Sequence, residues 1–212
     1  MPAWYFSTRM QNTTNDNTFD QIIDRRGTYA SKWHKYRDQD VLPFWVADMD
    51  FAAPDFVLDA VQERLTHPIL GYTRTPDALT EAFLGWLERC HGWRVPAHWL
   101  VWLPGVVTGF NLAARAVAEP GGAIMIPTPI YYPFLATPEN ANQQGIRVAL
   151  VSDGERWVMD FDAMAAACTS NTRLLMLCNP QNPTGRSYNE SELQALAEFC
   201  KQRDLYVCSD EI

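Results

Sequence analysis

Between Arg173 and Asp210 the chain carries a complete strand, turn, helix and strand pattern that few folds accommodate. Leu174-Leu175-Met176-Leu177-Cys178 is a short, continuous apolar run bounded by turn residues, the signature of a strand buried on both faces. Asn179-Pro180-Gln181-Asn182-Pro183-Thr184-Gly185 follows, and its prolines forbid helix and hold an extended turn. Asn189 with Glu192 spells a capping box before a helix running to Arg203, and Leu205 to Cys208 reads as the next strand. A right-handed crossover makes those two strands parallel and puts residues 179–185 and Ser209-Asp210 at their carboxyl ends. Open α/β sheets bind ligands there.

The preceding sequence alternates in the same way. Leu100 to Leu103, Ala123 to Ile126 and Val148 to Val151 are short apolar runs, separated by helical patterns over about Val106 to Ala118 and Tyr132 to Gln143. The expected fold is therefore α/β, a three-layer sandwich around a mainly parallel, mixed sheet. Upstream, Pro54 opens a helix whose Phe56, Val57, Ala60, Val61 and Leu65 fall at helical spacing. A second helix from about Pro76 to Cys90 carries Leu79, Ala82, Phe83, Trp86 and Leu87 on one face and closes at Gly92. Residues 1–18 read as a disordered arm, 19–53 as an arm with part of a small domain, and 54–212 as a large α/β domain.

Composition removes several functional classes. A net charge of −8 over 212 residues argues against a nucleic-acid partner, which clustered Lys and Arg would have to hold. Lysine occurs only at 32, 35 and 201. The five cysteines show no CxxC spacing, which favours reduced, buried thiols in a cytoplasmic protein over a disulfide scaffold. Met1 to Asn17 has no secretory pattern, and no apolar run approaches the ~20 residues of a membrane span. The four histidines lack metal-site spacing, so no metal is expected.

Asp210, directly after an apolar strand, points an anion into the crevice at the sheet's edge, although a strand-terminal Asp also caps the segment that follows it. Asn182 is an amide held rigidly between Gln181 and Pro183, although single Asn-Pro pairs are usually plain turns. Gly105-Val106-Val107 precedes a helix whose first N–H groups could seat an anion, although a glycine there is more often a turn. The whole constellation, Asn-Pro-Gln-Asn-Pro-Thr-Gly followed one βα unit later by Ser209-Asp210-Glu211-Ile212, resembles the pyridoxal 5'-phosphate (PLP) enzymes of the aspartate aminotransferase superfamily. The resemblance implies that Asp210 pairs with the protonated pyridine nitrogen and Asn182 donates to the phenolic oxygen. It implies that Tyr131, in Thr128-Pro129-Ile130-Tyr131, stacks on the ring, with Tyr132 as the competing position. Gly105, Val106 and Val107 would seat the phosphate, and Tyr72, in Gly71-Tyr72-Thr73-Arg74, would reach the phosphate of a neighbouring subunit in a homodimer.

Phe19-Asp20, Asp24 to Thr28, Lys32-Trp33 and above all Ala47-Asp48-Met49-Asp50-Phe51 are similar to the MalY/PatB group of cystathionine β-lyases. That likeness covers residues 19–212 and implies β-elimination from cystathionine or a cysteine S-conjugate, giving pyruvate, ammonia and a thiol. An aminotransferase is the alternative within the superfamily, and a truncated, non-catalytic product the alternative outside it. The family's Schiff-base lysine would follow Ile212, so the expectation is an N-terminal fragment, with Lys201 no substitute.

Overall fold

The computed structural model describes residues 18–117 and 119–212, in two units that divide between Glu81 and Ala82. All but the last residue of the arm expected over 1–18 lies outside the described residues.

In the first unit a 3-10 turn at Thr18–Asp20 precedes α1 (Ser31–His34) and α2 (Asp55–Leu65), and α3 (Asp77–His91) begins there. Pro54 takes the N-cap position of α2 and Gly92 ends α3 with φ +61°, close to the positions the sequence suggests. The apolar stripe of α2 is exposed at Phe56, Val57, Val61 and Leu65. Polar contacts tie the segment before α2 together. Arg25 pairs with Asp48 at 2.6 Å and Asp50 at 2.7 Å, Lys32 Nζ donates to Asp50 Oδ2 at 2.9 Å, and the Trp33 indole N–H donates to Asp50 Oδ1 at 2.8 Å. The Asp48-Met49-Asp50 string is thus an ion-pair knot that fastens residues 25–33 to 48–50.

Hydrogen bonds from Trp33, Lys32 and Arg25 hold the Asp50 carboxyl well below its ordinary value of 3.8. A depressed folded-state pKa contributes stability that is complete above the unfolded value and is lost as pH falls toward the folded one. Urea unfolding across a pH series should therefore show the protein more stable than its Asp50→Asn variant at neutral pH, with the gap narrowing below about pH 4. A gap that ignores pH would remove the charge of Asp50 from this account.

The second unit holds α4 (Val106–Val117), β1 (Ala123–Thr128), α5 (Thr137–Asn140), β2 (Gln144–Ala149), β3 (Val151–Ser152), β4 (Trp157–Val158), α6 (Phe161–Ala167), β5 (Thr172–Cys178), α7 (Glu190–Gln202) and β6 (Tyr206–Asp210). Its main sheet runs β2-β1-β5-β6 with every pair parallel, and β3 and β4 form a separate antiparallel ribbon. Period-2 alternation sorts the strands' side chains to two faces. Ile124, Ile126, Leu174, Met176 and Cys178 pack with Phe110 and Ala114 of α4 and with Phe134 on one side. Met125, Val148, Leu175 and Leu177 pack with Met164 of α6 and Leu196, Phe199 and Cys200 of α7 on the other. The result is a three-layer α/β sandwich. α7 starts from the capping box, with Asn189 Oδ1 accepting the Glu192 N–H and Glu192 Oε2 accepting the Asn189 N–H.

Local structure departs from the sequence reading in four places. Residues 100–103 form no strand, and Val101 is 76% exposed, because the run pairs with neither sheet edge among the described residues. The single helix expected over 132–143 is a 3-10 turn, Tyr132–Ala136, followed by the short α5, since Pro133 and Pro138 each remove an N–H donor. The strand expected at 148–151 is split: β2 runs Gln144–Ala149, an edge strand with few buried residues and so without a long apolar run, and Val151 begins β3 of the separate ribbon. All five cysteines are free, but only Cys178 and Cys200 are buried, and Cys90 is exposed. Among the described residues no helix is long and apolar enough to cross a membrane, and no cluster of three His, Cys, Asp or Glu could hold a metal.

Candidate functional site

The parallel sheet gathers three of the sequence candidates at one end. Asp210 closes β6, directly across from Cys178 at the end of β5, and its backbone carbonyl accepts the Asn179 N–H at 2.9 Å. Its residue is only 8% exposed. The Asp210 carboxylate takes the N–H of Ile212 at 3.3 Å, and among the described residues no Lys, Arg or His forms an ion pair with it. A mostly buried anion without a cation is costly unless a ligand supplies the charge.

Asn182 lies in the loop between β5 and α7, where it is exposed. The Asn179-Pro180 and Asn182-Pro183 bonds are cis, as is Thr128-Pro129. Gly185 adopts φ +72°, a left-handed conformation that glycine takes without strain. Tyr131 follows β1, half-buried, and packs on the same core cluster as Cys178 and Cys208, whereas Tyr132 is 73% exposed. The Tyr131 ring meets Phe134 edge-on at 6.4 Å.

Gly105 has φ +131° and leads directly into α4, with its carbonyl accepting the Gly109 N–H as the first helical bond. The direction of α4 follows from its contacts. Near its far end Ala114 accepts from Gln143 just before β2, while Phe110 stacks on Phe134 beyond β1. The helix therefore runs against the strands, and its amino end, with the N–H groups of Val106 and Val107 unsatisfied within the helix, lies toward their carboxyl ends. Tyr72 belongs to the first unit, where it is fully exposed.

Two residues that sequence reading passed over are central to this arrangement. The Cys178 thiol donates toward the Pro180 carbonyl at 3.4 Å and faces the N–H groups of Asn182 and Tyr131 as well as Asp210. Burial, with the nearby Asp210 charge, pushes its pKa up and disfavours the thiolate. Gln181 is 4% exposed, with its carboxamide engaged at both ends. The available signal was its position between two Asn-Pro pairs, where proline leaves few backbone donors. Lys201 is exposed on α7. Arg186, by contrast, is structural: it ion-pairs with Glu192 and donates to the Trp157 carbonyl at 2.7 Å, locking the loop to the start of α7.

Comparison with known proteins gives a consistent set of similarities. The profile of the family described as aminotransferase class I and II matches residues 39–212. Cystathionine beta-lyase PatB of Bacillus subtilis (strain 168) is 38% identical over 200 residues, which cover 92% of this chain and 51% of that protein. The crystal structure of OvoB superposes with a TM-score of 0.86 at 46% identity, over 92% of this chain and 51% of that one. The PLP-bound C-S lyase from Staphylococcus hominis gives 0.83 at 35% identity, over 92% and 50%. The chain spans about half the length of the curated relatives it matches.

Proposed function

Because the chain belongs to the aminotransferase class I and II family, we propose that its crevice holds PLP and that the whole protein is a carbon–sulfur lyase of the cystathionine β-lyase type. The observation that carries the cofactor reading is Asp210, a mostly buried carboxylate with no cationic partner among the described residues, at the carboxyl end of a parallel sheet. A protonated pyridine nitrogen is the kind of cation such a site fits. Asn182 would hold the phenolic oxygen, Tyr131 one face of the ring, and the N–H groups at Gly105, Val106 and Val107 the phosphate, where the start of α4 favours negative charge. Tyr72, exposed on the first unit, would serve the phosphate of a neighbouring subunit in a homodimer. A cytoplasmic location is part of the same proposal, supported by the five free cysteines.

Bound there, PLP supplies an electron sink for the charge that develops at the substrate's Cα. The chain's own part is electrostatic and positional. Asp210 would keep the ring nitrogen protonated, and Asn182 would offset negative charge on the oxygen edge. Tyr131, packed on Phe134 and on the cluster around Cys178, would shield one face of the ring from water. The choice of lyase over aminotransferase is supported by the relatives: cystathionine beta-lyase PatB is 38% identical, against 27% for an aspartate aminotransferase from Musicola paradisiaca. The substrate class would then be cystathionine or another cysteine S-conjugate.

The test is to titrate the whole protein with PLP and then supply L-cystathionine, following pyruvate and free thiol. Equal release of both supports the lyase. Transfer of the amino group to a 2-oxo acid without pyruvate would favour the aminotransferase. A protein that neither binds PLP nor acts on cystathionine would overturn both.

A further inference from the structure

We propose that Gln181 is a positioning residue that sets the spacing between Tyr131 and Asn182 across the crevice, an inference that rests on the cofactor reading above. The reason lies in the sheet. β1 and β5 are neighbours, but their ladder runs only from Ala123 opposite Thr172 to Met125 opposite Leu175. Beyond that point β1 continues beside β2 as far as Thr128, and β5 continues beside β6 as far as Cys178. The tips that carry Tyr131 and Asn182 therefore extend past the ladder that joins their strands.

The Gln181 side chain spans the two tips. Its Nε2 donates to the Pro129 carbonyl at 2.5 Å, two residues before Tyr131. Its Oε1 accepts the Thr184 N–H at 2.9 Å and the Thr184 hydroxyl at 2.5 Å, within the loop that carries Asn182. The backbone of Gln181 is itself fixed: its N–H donates to Arg186 at 2.6 Å and its carbonyl accepts from Gly185 at 2.8 Å. The carboxamide is thus anchored on one loop and reaches the other, in a buried setting where a lost partner leaves a polar group unsatisfied. Tyr131 and Asn182 would approach the ring from its face and its oxygen edge, so their separation determines whether both contacts form together.

Gln181→Glu, compared at alkaline pH where it is ionised, isolates the bridging bond, because a carboxylate still accepts from Thr184 but cannot donate to Pro129, whereas a protonated acid would keep that bond. In the cofactor-free protein, amide hydrogen exchange in this variant should quicken by about tenfold in residues 130–134 and 179–186 together. Thr184→Val should affect only 179–186. With PLP added, the Glu variant should bind about tenfold more weakly and show a shifted cofactor absorption band, while its far-ultraviolet circular dichroism stays that of the wild type. If the Glu variant does not fold, Gln181→Asn, one methylene too short to reach Pro129, should give the same pattern. Exchange confined to 179–186, or unchanged PLP affinity and spectrum, would overturn the proposal. Failure of the wild type to bind PLP would instead overturn the cofactor reading, and the exchange data alone would then decide whether Gln181 couples the two tips.

Discussion

Asp210→Asn is expected to lower the kcat/KM of the PLP-loaded whole protein by about 10²-fold to a few 10³-fold while leaving the fold intact. Removing one partner of a buried charge pair costs about 3–5 kcal/mol, and each ~1.4 kcal/mol is a tenfold change in rate. The amide keeps the size of the carboxylate and an oxygen to accept the Ile212 N–H, so the loss is one of charge and not of packing. In the cofactor-free protein the sign reverses. There Asp210 is a mostly buried anion without a cation among the described residues, and neutralising it should leave the urea midpoint unchanged or raise it. The measurement is a pair: steady-state kinetics with PLP and urea unfolding without it. A clear stability loss in the cofactor-free protein would mean that Asp210 is a structural cap and would sink its assignment to the pyridine nitrogen.

Phe134→Ala should destabilise the second unit by about 3–5 kcal/mol, a large share of the ~5–15 kcal/mol that holds a typical domain together. Phe134 is fully buried, stacks on Phe110 with centroids 4.3 Å apart, and supports Tyr131 edge-on. The pair joins α4 to the turn after β1, so the cavity would open between the two elements assigned to the phosphate and the ring face. With an m-value of ~2 kcal/mol/M, the urea midpoint should fall by ~1.5–2.5 M. Phe134→Leu fills more of the space and should lose less than half as much. PLP affinity should also fall in the alanine variant, because Tyr131 loses its lateral support. A loss below ~1 kcal/mol would show that α4 and the turn close over the gap and that this pair does not set the layer spacing.

How much of this could be read in advance depended on whether a feature was local. β5 was legible because a strand buried on both faces must be apolar at every position, as Leu174 to Cys178 are. α7 was legible because Asn189 and Glu192 form a cap that needs no tertiary partner. Residues 100–103 misled for the complementary reason: an apolar run is only a candidate strand, and a strand exists when another lends it a ladder. The 132–136 turn misled because apolar periodicity outweighed two prolines. In the site, the placement of residues 179–185 and Asp210 at the carboxyl ends of parallel strands followed from the crossover, while the bridge made by Gln181 could not, since it depends on Pro129, 52 positions away, and the burial of the Cys178 thiol beside Asp210 depends on tertiary packing.

The chain's pattern alone was enough for the α/β class, the parallel β5–α7–β6 unit and the position of Asn182 and Asp210 at strand ends, because period, caps and prolines act within a few residues. The Asp48-Met49-Asp50 string was visible too, but as a family marker and not as an ion-pair knot. Only the folded chain decided which tyrosine is half-buried against the core, that Asp210 is mostly buried without a cation, and that one glutamine spans two loops. These are properties of approach between distant segments. They are set by how α4, β1 and β5 pack in three dimensions, and no local periodicity encodes the distance between the tips of two strands.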